Sequence, residues 1–463
     1  MRAAIGWAAL VLMASPAIHA ATLEPHAGVS GSEVQMVSVR EAGQPWRSIS
    51  WDDLDRTPLD AGHYELRFQV DGGGDGQSIE VPHCAGRGRL TVDGHDVPTP
   101  PGPIVVPLSS GPHDIRITLT VSVYEGRVAC GNHARFGPPV RSLDGLGVLF
   151  FPSPWSARGG GQAVLYLPPH HDPRAPGPLL VGLHPWNGSM WTYAVYAPLL
   201  HEALARDVML LMPSGLGNSL YTADAEDEVM RAIAATSEVV AVDSSAVSLW
   251  GASMGGAGAT TIGFHHPDRF ASVTSFFGDS KYDTKTYVRS VLPNEAAAHL
   301  VNALDVVDNA RELFVWLIHG NSDHTSPIRQ SEMLATAMQE HGFRIRFDRV
   351  PQMGHSGALV ARFLPELVSS AASARAPERV RRLTYRSVRA SDTQAYGARI
   401  VRAASNGDAF IDVERREDAV HVLRADGVRA VVLSRGTLGT AGEFLPPIVA
   451  DACAGGLDAH WER

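Results

Sequence analysis

At 463 residues the chain is too long for one ordinary domain, and two or three are expected. Hydrophobic residues make up 44% and charged residues 19%, a globular balance that excludes a disordered or fibrous chain. The net charge of -10 leaves no basic footprint for nucleic acid, and a cation set with only Lys281 and Lys285 as lysines reads as coding bias before a binding patch.

Residues 1–20 read as an export signal. Arg2 supplies the positive n-region, Ala3 to Ala14 the apolar stretch, and Ser15-Pro16 the break before Ile18-His19-Ala20. The stretch is shorter than the ~20 residues of a membrane span, and no later segment is apolar enough to cross. A secreted or periplasmic location follows. Disulfides persist there. Cys84 and Cys130 share a β-like region and could pair, which would leave Cys453 over; sequence leaves the connectivity open.

Residues 22–140 predict an all-β sandwich. Tyr64–Val70 and Ile115–Val121 alternate with period two, between turn signals at Asp71–Gly76, Asp93-Gly94 and Pro98–Pro103. Residues 141–370 change character. Apolar strands over Ala163–Pro168, Leu179–His184, Val208–Pro213, Ala246–Trp250, Phe270–Phe277, Leu313–His319 and Arg344–Val350 are interleaved with helical segments such as Tyr196–Ala205 and Asp224–Val240. That order implies an α/β fold, with a mostly parallel sheet covered by helices on both faces. From Ser370 to Pro377 an Ala/Ser/Arg run reads as a linker, and residues 378–463 as a small β-rich module or an extension on the sheet.

The chemistry centres on Gly251-Ala252-Ser253-Met254-Gly255, a G-x-S-x-G pattern with a strand before it and a small-residue helix start after it. A nucleophile elbow needs that context, because the serine sits on a sharp turn above a sheet. A serine hydroxyl needs a base and an orienting carboxylate. In the order Ser, acid, His, the candidates are Asp323 and His355, each in a loop after a strand and at the edge where open α/β sheets bind ligands. Asp279 is the rival acid, and Asp323 alternatively caps the next helix. For an oxyanion hole the candidate N–H donors are Met254 and Trp186, with Asn187 as alternate, since Pro185 has none. Trp186, Trp191, Tyr193 and Tyr196 line either an acyl pocket or the core. His170, His171, His265, His266, His319 and His324 lack metal-ligand spacing and read as loop or packing residues.

Gly251–Gly256 together with His266-Pro267-Asp268-Arg269-Phe270-Ala271 resembles the α/β-hydrolase superfamily over residues 160–368. More narrowly it is similar to secreted esterases of the polyhydroxybutyrate depolymerase and feruloyl esterase type and to prolyl oligopeptidase-like domains. The resemblance implies a Ser253–Asp323–His355 triad with no metal or organic cofactor. One departure is His184-Pro185-Trp186, where the family has His-Gly. The expectation is an exported serine esterase acting on a small or polymeric ester. Its rivals are a serine peptidase with the same machinery and a non-catalytic binding protein on a hydrolase scaffold.

Overall fold

The computed structural model describes residues 20–462 apart from 26, 30, 57–61, 73–76, 83, 85–86, 99–102, 122–133, 142–144, 156–159, 195, 406, 418, 440–444 and 452–456. The apolar stretch read as an export signal lies outside the described residues, as do Cys130 and Cys453. Cys84 is fully buried and disulfide-bonded.

A nine-stranded mixed sheet dominates the fold. Its strands are β1 (Thr22–Pro25), β2 (Leu146–Pro152), β3 (Gly160–Tyr166), β4 (Gly177–Leu183), β5 (Met209–Pro213), β6 (Val242–Ala252), β7 (Ser272–Phe276), β8 (Phe314–Gly320) and β9 (Ile345–Val350). The order is β1-β2-β3-β5-β4-β6-β7-β8-β9. The pairs among β1, β2, β3 and β5 are antiparallel, and all others are parallel. Parallel strands buried on both faces read as continuous apolar runs, and β5 (MLLMP) is buried at every position. Each such Leu or Val contributes roughly 1.5–3 kcal/mol on leaving water.

The longer described helices beside the parallel part are α1 (Ala197–Arg206), α2 (Asp224–Val239), α3 (Met254–His265), α4 (Arg329–Glu340) and α5 (Gly357–Ser373). Two apolar clusters cover the two faces of the sheet. One includes Val181, Leu249, Ile262 and Leu317, the other Leu180, Trp250, Trp316 and Leu364. Helix α5 runs to Ser373, past the point where composition suggests a linker. Its apolar stripe continues through Val368 and Ala371, and alanine and serine carry a helix as readily as a linker.

Residues Ser32–Gly137 form a six-stranded and a four-stranded antiparallel sheet over their own core, and Pro139–Arg141 pairs with Ala27–Val29. Gly62–Gly72 and Gly111–Val121 pair along their full length and send Leu66, Phe68, Ile115 and Ile117 inward, the alternation expected from sequence. Strand β1 leaves this region and edges the central sheet instead, pairing with β2. Beyond α5, two further four-stranded sheets enclose Leu383, Ile411, Val420 and Val431. They dock on the end of α3: Asn309 Nδ2 donates to the Phe264 and Arg386 carbonyls (2.9 and 3.0 Å), and the Tyr396 hydroxyl donates to the Pro267 carbonyl (2.9 Å). No described helix is long and apolar enough to cross a membrane.

Candidate active site

Strand β6 delivers Ser253 to the C-terminal edge of the sheet, and α3 starts at the next residue. Ser253 has φ 56° and ψ -120°, a conformation that costs a non-glycine residue about 1–3 kcal/mol and persists only where its surroundings impose it. Here they do. Its N–H donates to the Phe276 carbonyl at 2.9 Å, and its flanking glycines allow backbone to touch backbone. A Cβ on Gly255 would stand 1.8 Å from the Leu183 carbonyl oxygen, and one on Gly251 would stand 2.4 Å from Gly255. Glycine is therefore obligatory at both positions. Helix α3 is buried all round and points its positive end at the serine turn.

The loops after β8 and β9 are stitched together. Asn321 N–H donates to the Val350 carbonyl (3.0 Å), Ser322 N–H to the Met353 carbonyl (2.9 Å), and Gln352 N–H to Asn321 Oδ1 (2.8 Å). This brings Asp323 Oδ2 to 2.8 Å from His355 Nδ1. The other oxygen, Oδ1, accepts from the N–H groups of Thr325 (2.9 Å) and Ser326 (3.0 Å). Burial of Asp323 opposes ionisation, but hydrogen bonds from His319 and His355 outweigh it and hold the carboxyl well below the usual carboxylate range. The Phe277 ring packs on the His355 ring at 4.4 Å between centroids, and Phe277 directly follows the residue that holds Ser253 N–H. All three predicted residues thus gather at one sheet edge.

Asp279, the rival acid, accepts from Ser326 Oγ at 2.5 Å, and burial raises its pKa. The hydrogen bond to His355 Nδ1 belongs to Asp323. His319 reads in sequence as a loop or packing residue. Fully buried, it lies 3.5 Å from Asp323 and is held by Ser331 Oγ and the Ser326 carbonyl (both 2.8 Å). Its spacing of four residues before Asp323, at the end of an apolar strand, was the available signal.

The loop after β4 makes a tight turn in which Gly188 N–H donates to the Pro185 carbonyl at 2.9 Å. Asn187 has φ 62°, the conformation that the third residue of a type II turn requires. Its N–H donates to Asn218 Oδ1 at 2.6 Å and is already spent, whereas Trp186 N–H has no partner among the described residues. Met254 N–H, in the first turn of α3, has no acceptor within the helix. Trp191 and Tyr193 belong to the core: Tyr193 stacks on Trp250 at 4.3 Å and accepts from Ala252 N–H at 3.1 Å. Trp186 and Tyr196 are half-buried, and Trp186 lies edge-on to the exposed Tyr287 at 5.0 Å. Among the described residues there is no cluster suited to a metal ion.

Residues 162–358, which include all of these groups, match the family model described as "Putative esterase". This part of the chain is a serine hydrolase of the α/β-hydrolase fold. Its solved structural neighbours include an S-formylglutathione hydrolase from Agrobacterium tumefaciens at 18% identity, covering 50% of this chain and 97% of that one, with a TM-score of 0.44. A ferulic acid esterase is 14% identical over 49% of this chain and 96% of its own, with a TM-score of 0.42. An acylaminoacyl peptidase from Pyrococcus horikoshii is 15% identical over 49% and 40%, with a TM-score of 0.41. No curated protein matches the chain significantly in sequence.

Elsewhere the hydrolase holds a buried polar network that sequence missed. His265 Nδ1 meets Asp392 Oδ2 at 2.6 Å, His266 Nε2 meets Glu226 at 2.8 Å, and Arg389 hydrogen-bonds Glu226 at 2.8 Å and pairs by charge with Asp392 at 3.1 Å. Glu226 reads in sequence as one of several acids suited to a helix start, and nothing local marks it for burial.

Proposed function

We propose that the chain is an exported carboxylic-ester hydrolase that works through an acyl-serine intermediate, with Ser253 as nucleophile, His355 as base and Asp323 as its orienting acid. The observation that carries this reading is the 2.8 Å contact between Asp323 and His355 at the sheet edge that presents the strained Ser253 turn. With Nδ1–H donated to Asp323, the other ring nitrogen of His355 is left as an acceptor for the serine proton. Attack by Ser253 Oγ on the ester carbonyl forms a tetrahedral oxyanion, and His355 takes the hydroxyl proton. Met254 and Trp186 N–H groups receive the oxyanion. Collapse expels the alcohol, which takes the proton from His355, and water repeats the sequence to release the acid. Neither step needs a metal or organic cofactor.

Export rests on the pattern of residues 1–20. Residues 22–140 and 378–463 are read as β modules flanking a catalytic domain of residues 141–370; each flank has its own apolar core, although Thr22–Pro25 edge the catalytic sheet. The test is labelling by a fluorophosphonate probe, with turnover of p-nitrophenyl acetate and of a panel of acyl esters and dipeptidyl amides. Ser253→Ala should abolish labelling and cut ester turnover by at least about 10⁴-fold. Unchanged turnover in that variant would sink the reading, and faster cleavage of amides than esters would make the enzyme a peptidase.

A further inference from the structure

Residues Gly215–Ala223, which follow β5, hold an unusual backbone. Leu216, Leu220, Tyr221 and Ala223 all have φ between 50° and 56°, although none is glycine, and Gly215 and Gly217 are also positive. Strain of this density persists only when neighbours over-determine it, and it concentrates at functional sites. Here internal bonds hold the loop: the Ser219 hydroxyl donates to the Gly215 carbonyl (2.5 Å) and accepts from Tyr221 N–H (3.1 Å).

What the loop holds in turn is the Pro185–Gly188 turn. Asn218 grips Asn187 at two points, accepting its main-chain N–H at 2.6 Å and donating Nδ2–H to its side-chain Oδ1 at 2.8 Å. Tyr221 is fully buried; its hydroxyl donates to the His184 carbonyl at 3.2 Å, and its ring lies where a Cβ on Gly258 of α3 would stand, 2.6 Å away. His184 is wedged between the Pro185 and Ser214 carbonyls, 2.9 Å from each. One side chain thus bridges the serine's helix and the turn, and another clamps the turn from its solvent side.

The consequence falls on a single peptide plane. The Pro185 carbonyl faces Gly188 N–H and the His184 ring, and in a trans peptide the N–H of Trp186 must point the opposite way. We infer that the Gly215–Ala223 loop is the positioning element of the oxyanion hole, with Asn218 and Tyr221 fixing the Pro185–Gly188 turn so that Trp186 N–H is presented to the tetrahedral intermediate. This rests on the reading of Ser253 and Trp186 given above. Asn218 and Tyr221 are positioning residues and touch no reacting atom.

The test compares wild type, Asn218→Ala, Tyr221→Phe and Asn187→Gly. Readouts are kcat and KM on p-nitrophenyl acetate, inhibition by an alkyl trifluoromethyl ketone (which places an oxyanion on the serine adduct), and the thermal midpoint. Loss of a whole donor costs about 10²–10³-fold, so loosening one should cost less. Asn218→Ala should lower kcat about 10- to 30-fold and Tyr221→Phe about 3- to 10-fold, with KM within about twofold. Ketone affinity should weaken by the same factor as kcat. Asn187→Gly keeps the main-chain bond to Asn218 and tolerates positive φ, so it should lose less than Asn218→Ala. The proposal is overturned if kcat stays within twofold in both loop variants, if kcat falls while ketone affinity does not, or if the loss follows only a lowered thermal midpoint. A wild type without esterase activity, or an active Ser253→Ala, would instead overturn the function on which it rests.

Discussion

Asp323 carries the sharpest consequences at the scale of single residues. Its covered carboxylate takes hydrogen bonds from His355, Thr325 and Ser326, so Asp323→Asn should reverse the donor pattern at His355 and cost roughly 10³–10⁴-fold in kcat. Asp279→Asn, whose amide oxygen can still accept from Ser326 Oγ, should cost less than about tenfold, and side-by-side kinetics would reassign the acid if the ranking were inverted. The depressed pKa of Asp323 also has a sign. A carboxyl whose folded value lies below its unfolded value of about 3.9 stabilises the fold above that pH and loses the contribution as the pH falls toward the folded value. The stability gap between wild type and Asp323→Asn, measured by urea unfolding, should therefore close below about pH 4. At this scale the sequence singles out candidates where chemistry fixes order, as for Ser253 and His355, while for the acid it left Asp279 beside Asp323. It reads His319 only as a loop or packing residue, because its contact with Asp323 comes from the fold.

Elements were legible where burial is two-sided. Strands β4, β5 and β8 are nearly continuous apolar runs, and α2 opens with Asp224, Glu226 and Asp227 as its dipole prefers. The Gly215–Ala223 loop was not legible, because nothing in Leu216, Leu220, Tyr221 or Ala223 announces a positive φ. The turn between β6 and α3 yields a test of element geometry. Gly255→Ala forces a methyl to 1.8 Å from the Leu183 carbonyl, a backbone atom that cannot step aside, and should destabilise the protein by about 3 kcal/mol or more. Gly354→Ala meets only the Ser322 carbonyl at 3.4 Å and should shift the urea midpoint little. Equal midpoints for the two variants would contradict the packing of that turn.

Across the whole molecule, the C-terminal sheets are held to the hydrolase by charge as well as by main-chain bonds. Arg389 stands between Glu226 on α2 and Asp392, both buried, with His265 and His266 closing the network. Arg389→Met would leave two buried carboxylates without their cation and should lower unfolding free energy by about 3–5 kcal/mol, read from denaturant titration. A change under 1 kcal/mol would mean that the network is solvated and ornamental. The α/β class and the β character of both flanks were legible in composition and period. The docking was not, since it joins distant residues, 77 positions apart for Asn309 and Arg386 and 163 for Glu226 and Arg389, whose local contexts are unremarkable polar sequence.

The pairing of β1 with β2 makes the N-terminal sheets an excursion. The chain enters the central sheet at Thr22–Pro25, leaves it, and returns in the adjacent strand, with Pro25 directly opposite Gly147. Opposed residues in an antiparallel pair lie roughly 5 Å apart, so the more than one hundred residues between them begin and end almost at one point. Such a segment is a handle spliced into a hairpin. A short turn in its place would close the same two strands, which makes the N-terminal sheets exchangeable cargo that can be swapped without rethreading the sheet that carries Ser253.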